Sequence, residues 1–169
     1  MTRLTGKPAP HFTATAIHEG KITQFDTKNC LGKKWLLFFY PWDYSFTCPE
    51  ELSDFQQYAL AFELLDIKVV VSMTKDPFTV QAFLHSCTND CSIENLSFPI
   101  LSDENGKIAK LLNVDTTEKQ ISYRASFFID EKGIVRQELV NDLGIRRSAL
   151  EAIRSIHSWI EFQERWGAA

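Results

Sequence analysis

The sequence predicts an α/β protein: a mixed central β-sheet with helices on both sides. Three observations carry this. In the first part of the chain, apolar runs of strand length alternate with segments whose apolar residues recur every three or four positions. Val69-Val70-Val71 is a β-branched run suited to a buried strand. Near the end, two strand-like runs flank Asp130-Glu131-Lys132-Gly133, a turn sequence that folds them into a hairpin.

Taken in order, strands are expected at residues 12–17, 34–40, 67–72, 123–129 and 134–140. Helices are expected at 49–64, 77–85 and 148–162, with a shorter one near 107–112. The strand at 34–40 contains the unbroken apolar run from Trp35 to Tyr40, and Pro41, Asp43 and Ser45 end it. The helix from Pro49 opens on a proline suited to the first helical position. Glu50 and Glu51 fall in its first turn, and Leu52, Phe55, Ala59 and Phe62 follow at helical spacing. In the last helix Leu150, Ile153, Ile156 and Ile160 form an apolar stripe, with Trp159 beside it, expected to pack on the sheet.

At 169 residues the chain suits one domain spanning 1–169, and no internal repeat, low-complexity tract or linker divides it. A hydrophobic content of 44% with 12% aromatic residues excludes disorder. The formal net charge of −4, without a basic block, argues against a nucleic-acid partner. No run approaches the roughly 18 apolar residues of a membrane span, and the first residues carry no apolar leader. The expectation is therefore no membrane partner and a cytoplasmic location.

The most informative residue is Cys48. It stands between the turn after the strand and Pro49, at the N-cap or first turn of a helix. Unpaired backbone N–H groups and the positive end of the helix dipole there favour a thiolate and lower the pKa from a free value of about 8.5. Glu50 and Glu51 oppose that shift, so a cation from elsewhere in the chain is needed to complete the activation. A merely structural cysteine needs neither the turn of Pro41, Asp43 and Ser45 nor a capping position.

Pro41-x-x-x-Ser45-x-x-Cys48 resembles the peroxiredoxin signature P-x-x-x-(T/S)-x-x-C, with serine at its hydroxyl position. The resemblance extends along the chain: Gly6-Lys7-Pro8-Ala9-Pro10-His11-Phe12 is similar to the family's opening, and the segment Ile121 to Asp130 to its late strand with an embedded arginine. It is nearest to the alkyl hydroperoxide reductase C / Prx1 subgroup. The resemblance implies the thioredoxin fold of the peroxiredoxin type. It also implies a thiol-specific peroxidase that reduces hydrogen peroxide and organic hydroperoxides and needs no cofactor.

By the same resemblance Cys48 is the peroxidatic cysteine, cycling through sulfenic acid, and Arg124 holds its thiolate and orients the peroxide. Ser45 hydrogen-bonds the substrate and Pro41 shields the thiolate from water. Glu51 positions Arg124, and Arg147 is a second arginine of the subgroup. An arginine suits such a role because it stays charged and offers several fixed donors at once. The family also implies a homodimer through the strand at 134–140 and, in some members, a ring. Trp42 and Tyr44 flank the active-site turn, as core packing, a lid or an interface.

A sulfenic acid must be returned to the thiol by another thiol. The subgroup's resolving cysteine lies in a C-terminal tail, whereas residues 162–169 contain none, so the intersubunit disulfide is not carried over. Two routes stay open. Cys87 or Cys91 resolves Cys48 within one chain, with local unwinding of its helix, or an external thiol reductant such as thioredoxin, glutaredoxin or glutathione does so directly. The segment between Cys91 and Pro99 lacks the G-G-(L/V)-G insertion of peroxide-sensitive members, and the tail lacks their Y-F pair. Overoxidation is thus expected to be less favoured.

His85 with Cys87 and Cys91 invites a metal reading, but no fourth ligand stands at recognisable spacing, so no metal is expected. Cys30 reads as a structural thiol, and His11, His18 and His157 as surface or packing residues. Two other functions compete. A thioredoxin-fold disulfide oxidoreductase would place Cys-x-x-Cys at the junction, where Pro49, Glu50 and Glu51 stand instead. A non-catalytic chaperone-like module would be indifferent to Cys48→Ser.

Overall fold

In the computed structural model, residues 3–41, 48–86, 96–116 and 121–167 are described. The strands are β1 (Thr13–His18), β2 (Lys21–Asp26), β3 (Lys34–Tyr40), β4 (Ile67–Met73), β5 (Ile100–Ser102), β6 (Arg124–Ile129) and β7 (Val135–Asn141). The helices are α1 (Cys48–Gln57), α2 (Ala59–Leu64), α3 (Pro77–Ser86), α4 (Lys107–Leu111) and α5 (Ala149–Trp166), and a 3-10 turn covers Thr27–Cys30.

The seven strands form one mixed sheet in the order β2-β1-β5-β4-β3-β6-β7. β3 pairs parallel with β4, and β4 parallel with β5. The remaining pairs are antiparallel. Alternation along β3 divides the core between the two faces. Leu36, Phe38 and Tyr40 join Leu52, Phe55, Phe62, Val80 and Ile156 on the side of α1, α2, α3 and α5. Trp35, Leu37 and Phe39 join Phe12, Phe25, Cys30, Ile108 and Ala109 on the side of α4 and the 3-10 turn. The mixed sheet with helices on both faces is the one expected.

Several local expectations are corrected. The helix expected at 49–64 is two helices, because Tyr58 (φ −96°, ψ 11°) leaves the helical path and heads α2. No glycine or proline in that stretch marks the break. Packing supplies the reason: the bend lets Phe55 stack on both Phe38 (4.4 Å) and Phe62 (5.8 Å) against the sheet. β2 went unforeseen because Phe25 is its one buried residue, which leaves no alternation to read. A two-residue turn creates it, with Glu19 and Gly20 both at positive φ, the geometry that matches strand twist. β5 is too short, at three residues, to stand out as a run.

In α5 the stripe is shifted. Ile156 is buried, Ile153 and Ile160 pack partly on the core, and Trp159 meets Phe128 edge-on at 5.2 Å. Leu150, however, is 57% exposed, and Ala149 takes the buried place at the head of the helix. The hairpin turn between β6 and β7 is held by Asp130, whose Oδ1 accepts from the Lys132 and Ile134 N–H groups and whose Oδ2 accepts from Arg136 Nε.

Candidate active site

Cys48 opens α1, the helix that follows the C-terminal end of β3. Pro41, immediately after β3, is buried. Ser45, Trp42, Tyr44, Cys87 and Cys91 lie outside the described residues. Leu52 and Phe55, both essentially without exposure, seat α1 on the sheet and fix which way its acidic residues point.

Glu51, three residues after Cys48, is buried, and its carboxylate is the centre of the site. Oε2 accepts from Arg124 Nη1 at 2.8 Å and from Arg147 Nη2 at 2.9 Å. Oε1 accepts from the Arg147 backbone N–H and from Arg147 Nε, each at 2.9 Å. Burial pushes the Glu51 pKa up. The charge and hydrogen bonds of Arg147, followed by the charge of Arg124, outweigh it and hold the carboxyl below its ordinary value.

Arg124 leads β6 on the face shared with Phe128 and has no exposed surface. Its Nε donates to the Leu143 carbonyl at 2.5 Å. Arg147 donates through Nη1 to the Ala125 carbonyl and lies over the Phe38 ring at 5.0 Å. Two buried guanidiniums are thereby held against one carboxylate, with backbone carbonyls taking further donors, the pairing that buried charges require. Glu50 is also engaged, by Arg146. Three cations thus gather on the acids of the helix that Cys48 opens: Arg124 on β6, and Arg146 and Arg147 on the segment before α5.

Sequence reasoning missed Asp54, whose Oδ2 accepts the Ala149 N–H at 2.8 Å, and the carbonyls of Leu143 and Ala125. Asp54 was visible as an acid one turn beyond Glu50, but its partner lies 95 residues away. The histidines stand apart from the site. His11 meets Asp26 at 2.9 Å, His18 the Ser97 carbonyl at 3.3 Å, and His157 faces Glu161. Cys30 is buried at 2% exposure, and that burial raises its pKa although Lys68 and Lys33 pull it back. Among the described residues no cluster of metal-ligating side chains forms.

The fold is the thioredoxin type as peroxiredoxins build it. AhpC from Enterococcus faecalis superposes with a TM-score of 0.89 at 30% identity, covering 98% of this chain and 97% of that one. The reduced 2-Cys peroxiredoxin of Plasmodium vivax gives 0.89 at 32%, over 98% and 86% of the two chains. In sequence, peroxiredoxin-2 of Cricetulus griseus is 37% identical over 154 residues, 91% of this chain and 78% of the relative. Peroxiredoxin tpx1 of Schizosaccharomyces pombe is 31% identical over 167 residues, 99% and 86%. The AhpC/TSA family model matches residues 5–138. The chain belongs to the AhpC/TSA family, and as a peroxiredoxin it is an oxidoreductase that reduces peroxides with thiols. No helix among the described residues is long and apolar enough to cross a membrane.

Proposed function

We propose that Cys48 is the peroxidatic cysteine of this thiol peroxidase, attacking hydrogen peroxide and organic hydroperoxides. The Cys48 thiolate attacks one peroxide oxygen and the O–O bond breaks. The sulfur becomes a sulfenic acid, and the leaving oxygen departs as water or an alcohol once protonated. Arg124 holds the thiolate ionised and receives the charge that moves onto the peroxide oxygens. A guanidinium does this without giving up a proton. Ser45 donates to the peroxide, Pro41 keeps water off the sulfur, and Arg147 shares with Glu51 the task of aiming Arg124.

The observation that carries this reading is the Glu51 carboxylate, which joins the helix that Cys48 opens to Arg124 at 2.8 Å and to Arg147 at 2.9 Å. A cysteine at a helix head with a fixed cation behind that helix is the environment in which a thiol ionises at neutral pH. Cys48→Ser is expected to abolish peroxide turnover with any thiol donor, while circular dichroism shows an unchanged fold. Turnover retained in that variant would remove Cys48 from the mechanism and favour a non-catalytic role for the fold.

The sulfenic acid is returned by a thiol, either Cys87 or Cys91 of the same chain or an external donor of the thioredoxin, glutaredoxin or glutathione kind. Such a cycle suits a reducing compartment such as the cytoplasm. We further place the protein as a single domain that forms a homodimer. β7 is the outer strand of the sheet, and among the described residues the N-terminal segment makes backbone bonds only at its start, at Val135 beside Ile134, and reaches Glu138 through the Leu4 N–H at 2.9 Å. The rest of that edge is open to a second copy.

A further inference from the structure

We propose that Asp54 is a positioning residue for the peroxidase reaction, tying the Cys48 helix to the segment that holds Arg124. The inference rests on the reading of Cys48 and Arg124 given above.

α5 is an 18-residue helix whose N-cap residue, Ser148, makes no side-chain capping bond. The first N–H groups of a helix lack partners within it, and its positive end attracts an anion. Here the cap comes from another helix: Asp54 Oδ2 of α1 accepts the Ala149 N–H at 2.8 Å. Asp54 falls one turn beyond Glu50 and three residues beyond Glu51, so the three acids line one side of α1. Each engages the same stretch of chain in step. Glu50 meets Arg146, Glu51 meets Arg147, and Asp54 meets Ala149.

The consequence for catalysis lies in how Arg124 is held. Its Nη1 donates to Glu51, on α1, and its Nε to the Leu143 carbonyl, in the loop that leads from β7 to α5. The position of the guanidinium therefore depends on the registry between α1 and that loop. Glu50 and Arg146 are both about half exposed or more, at 62% and 51% of their side chains, and such a pair fixes little. Glu51 is already occupied by the arginines themselves. Asp54 is the contact that pins the far end of the loop, at Ala149, to α1. Without it the first turn of α5 frays, Arg147 shifts on Glu51, and the two supports of Arg124 move relative to each other.

The test compares Asp54→Ala with Asp54→Asn, which keeps an oxygen acceptor for the Ala149 N–H. Ile156→Val serves as a control that loosens the same helix from its buried side. The readouts are the Cys48 thiolate pKa, from the pH profile of iodoacetamide alkylation, the rate constant for hydrogen peroxide, and Tm. Asp54→Ala is expected to raise the Cys48 pKa and to slow peroxide reduction about tenfold, as small misplacements of a catalytic group do. Asp54→Asn stays within about threefold of the parent, because an asparagine cap replaces an aspartate well. Ile156→Val lowers Tm without moving the Cys48 pKa. The proposal is overturned if Asp54→Ala matches the parent in pKa and rate, if Asp54→Asn falls as far as Asp54→Ala, or if Ile156→Val shifts the pKa as much. Failure of the underlying reading looks different: the parent itself then shows no depressed Cys48 pKa, and Cys48→Ser keeps its turnover.

Discussion

At the scale of single residues, the balance of charge around Glu51 decides both stability and chemistry. A buried carboxylate facing two buried guanidiniums cannot be removed cheaply, because the arginines would be left without their counter-charge. Glu51→Gln is expected to cost about 3–5 kcal/mol at neutral pH and to lower peroxide turnover by loosening Arg124. The pH dependence follows from the sign of the shift. The folded-state pKa of Glu51 lies below its unfolded value, so its contribution is complete above the ordinary glutamate range and is lost as pH falls through the depressed value. Urea unfolding measured at steps from neutral pH into acid should show the gap between parent and variant narrowing; a gap independent of pH would contradict this assignment. Arg124, Glu51 and Arg147 could be singled out in sequence by a family resemblance, and the structure brings the three together; Cys48, Ser45 and Pro41 are expectations drawn from one short motif. Asp54 could not be singled out, since an acid on a helix gives no sign in sequence of a backbone partner 95 residues distant.

At the scale of elements, α1 is held where its acids can act by Leu52 and Phe55 beneath it. Phe55 lies between Phe38 and Phe62 in a stacked row, and its ring is 1% exposed. Phe55→Ala should therefore destabilise the fold by about 3–5 kcal/mol, read from the urea midpoint at unchanged slope. A loss under about 1 kcal/mol would mean that the site collapses around the gap and that α1 is not seated by this row. The elements with strong periodicity, β3, β4, β6, β7 and α5, were legible to within a few residues. The bend at Tyr58 was not, because the advantage of stacking three phenylalanines exists only once the sheet is present. β2 was hidden for the opposite reason: an edge strand with one buried side chain is made by its turn and its neighbour, β1.

At the scale of the whole molecule, the sheet order places β3 between β4 and β6, so the strand that leads to Cys48 is buried on both faces. β3 is thus a central, buried support, which suits a site built at its end. The mixed sheet was legible from the alternation of strands and helices and the late hairpin; its order was not, since the short β5 joins β1 to β4 and β2 adds an edge beyond β1. For the proposed dimer through the outer strand β7, sedimentation velocity should return twice the chain mass at micromolar concentration, with a monomer contradicting that proposal. The central claim is that Cys48 reacts with peroxide. The most direct test is peptide mass spectrometry of reduced protein given one equivalent of hydrogen peroxide, with and without a sulfenic-acid trap. The account predicts oxidation at Cys48, either trapped as sulfenic acid or found as a disulfide with Cys87 or Cys91. An unmodified Cys48 under those conditions would contradict it.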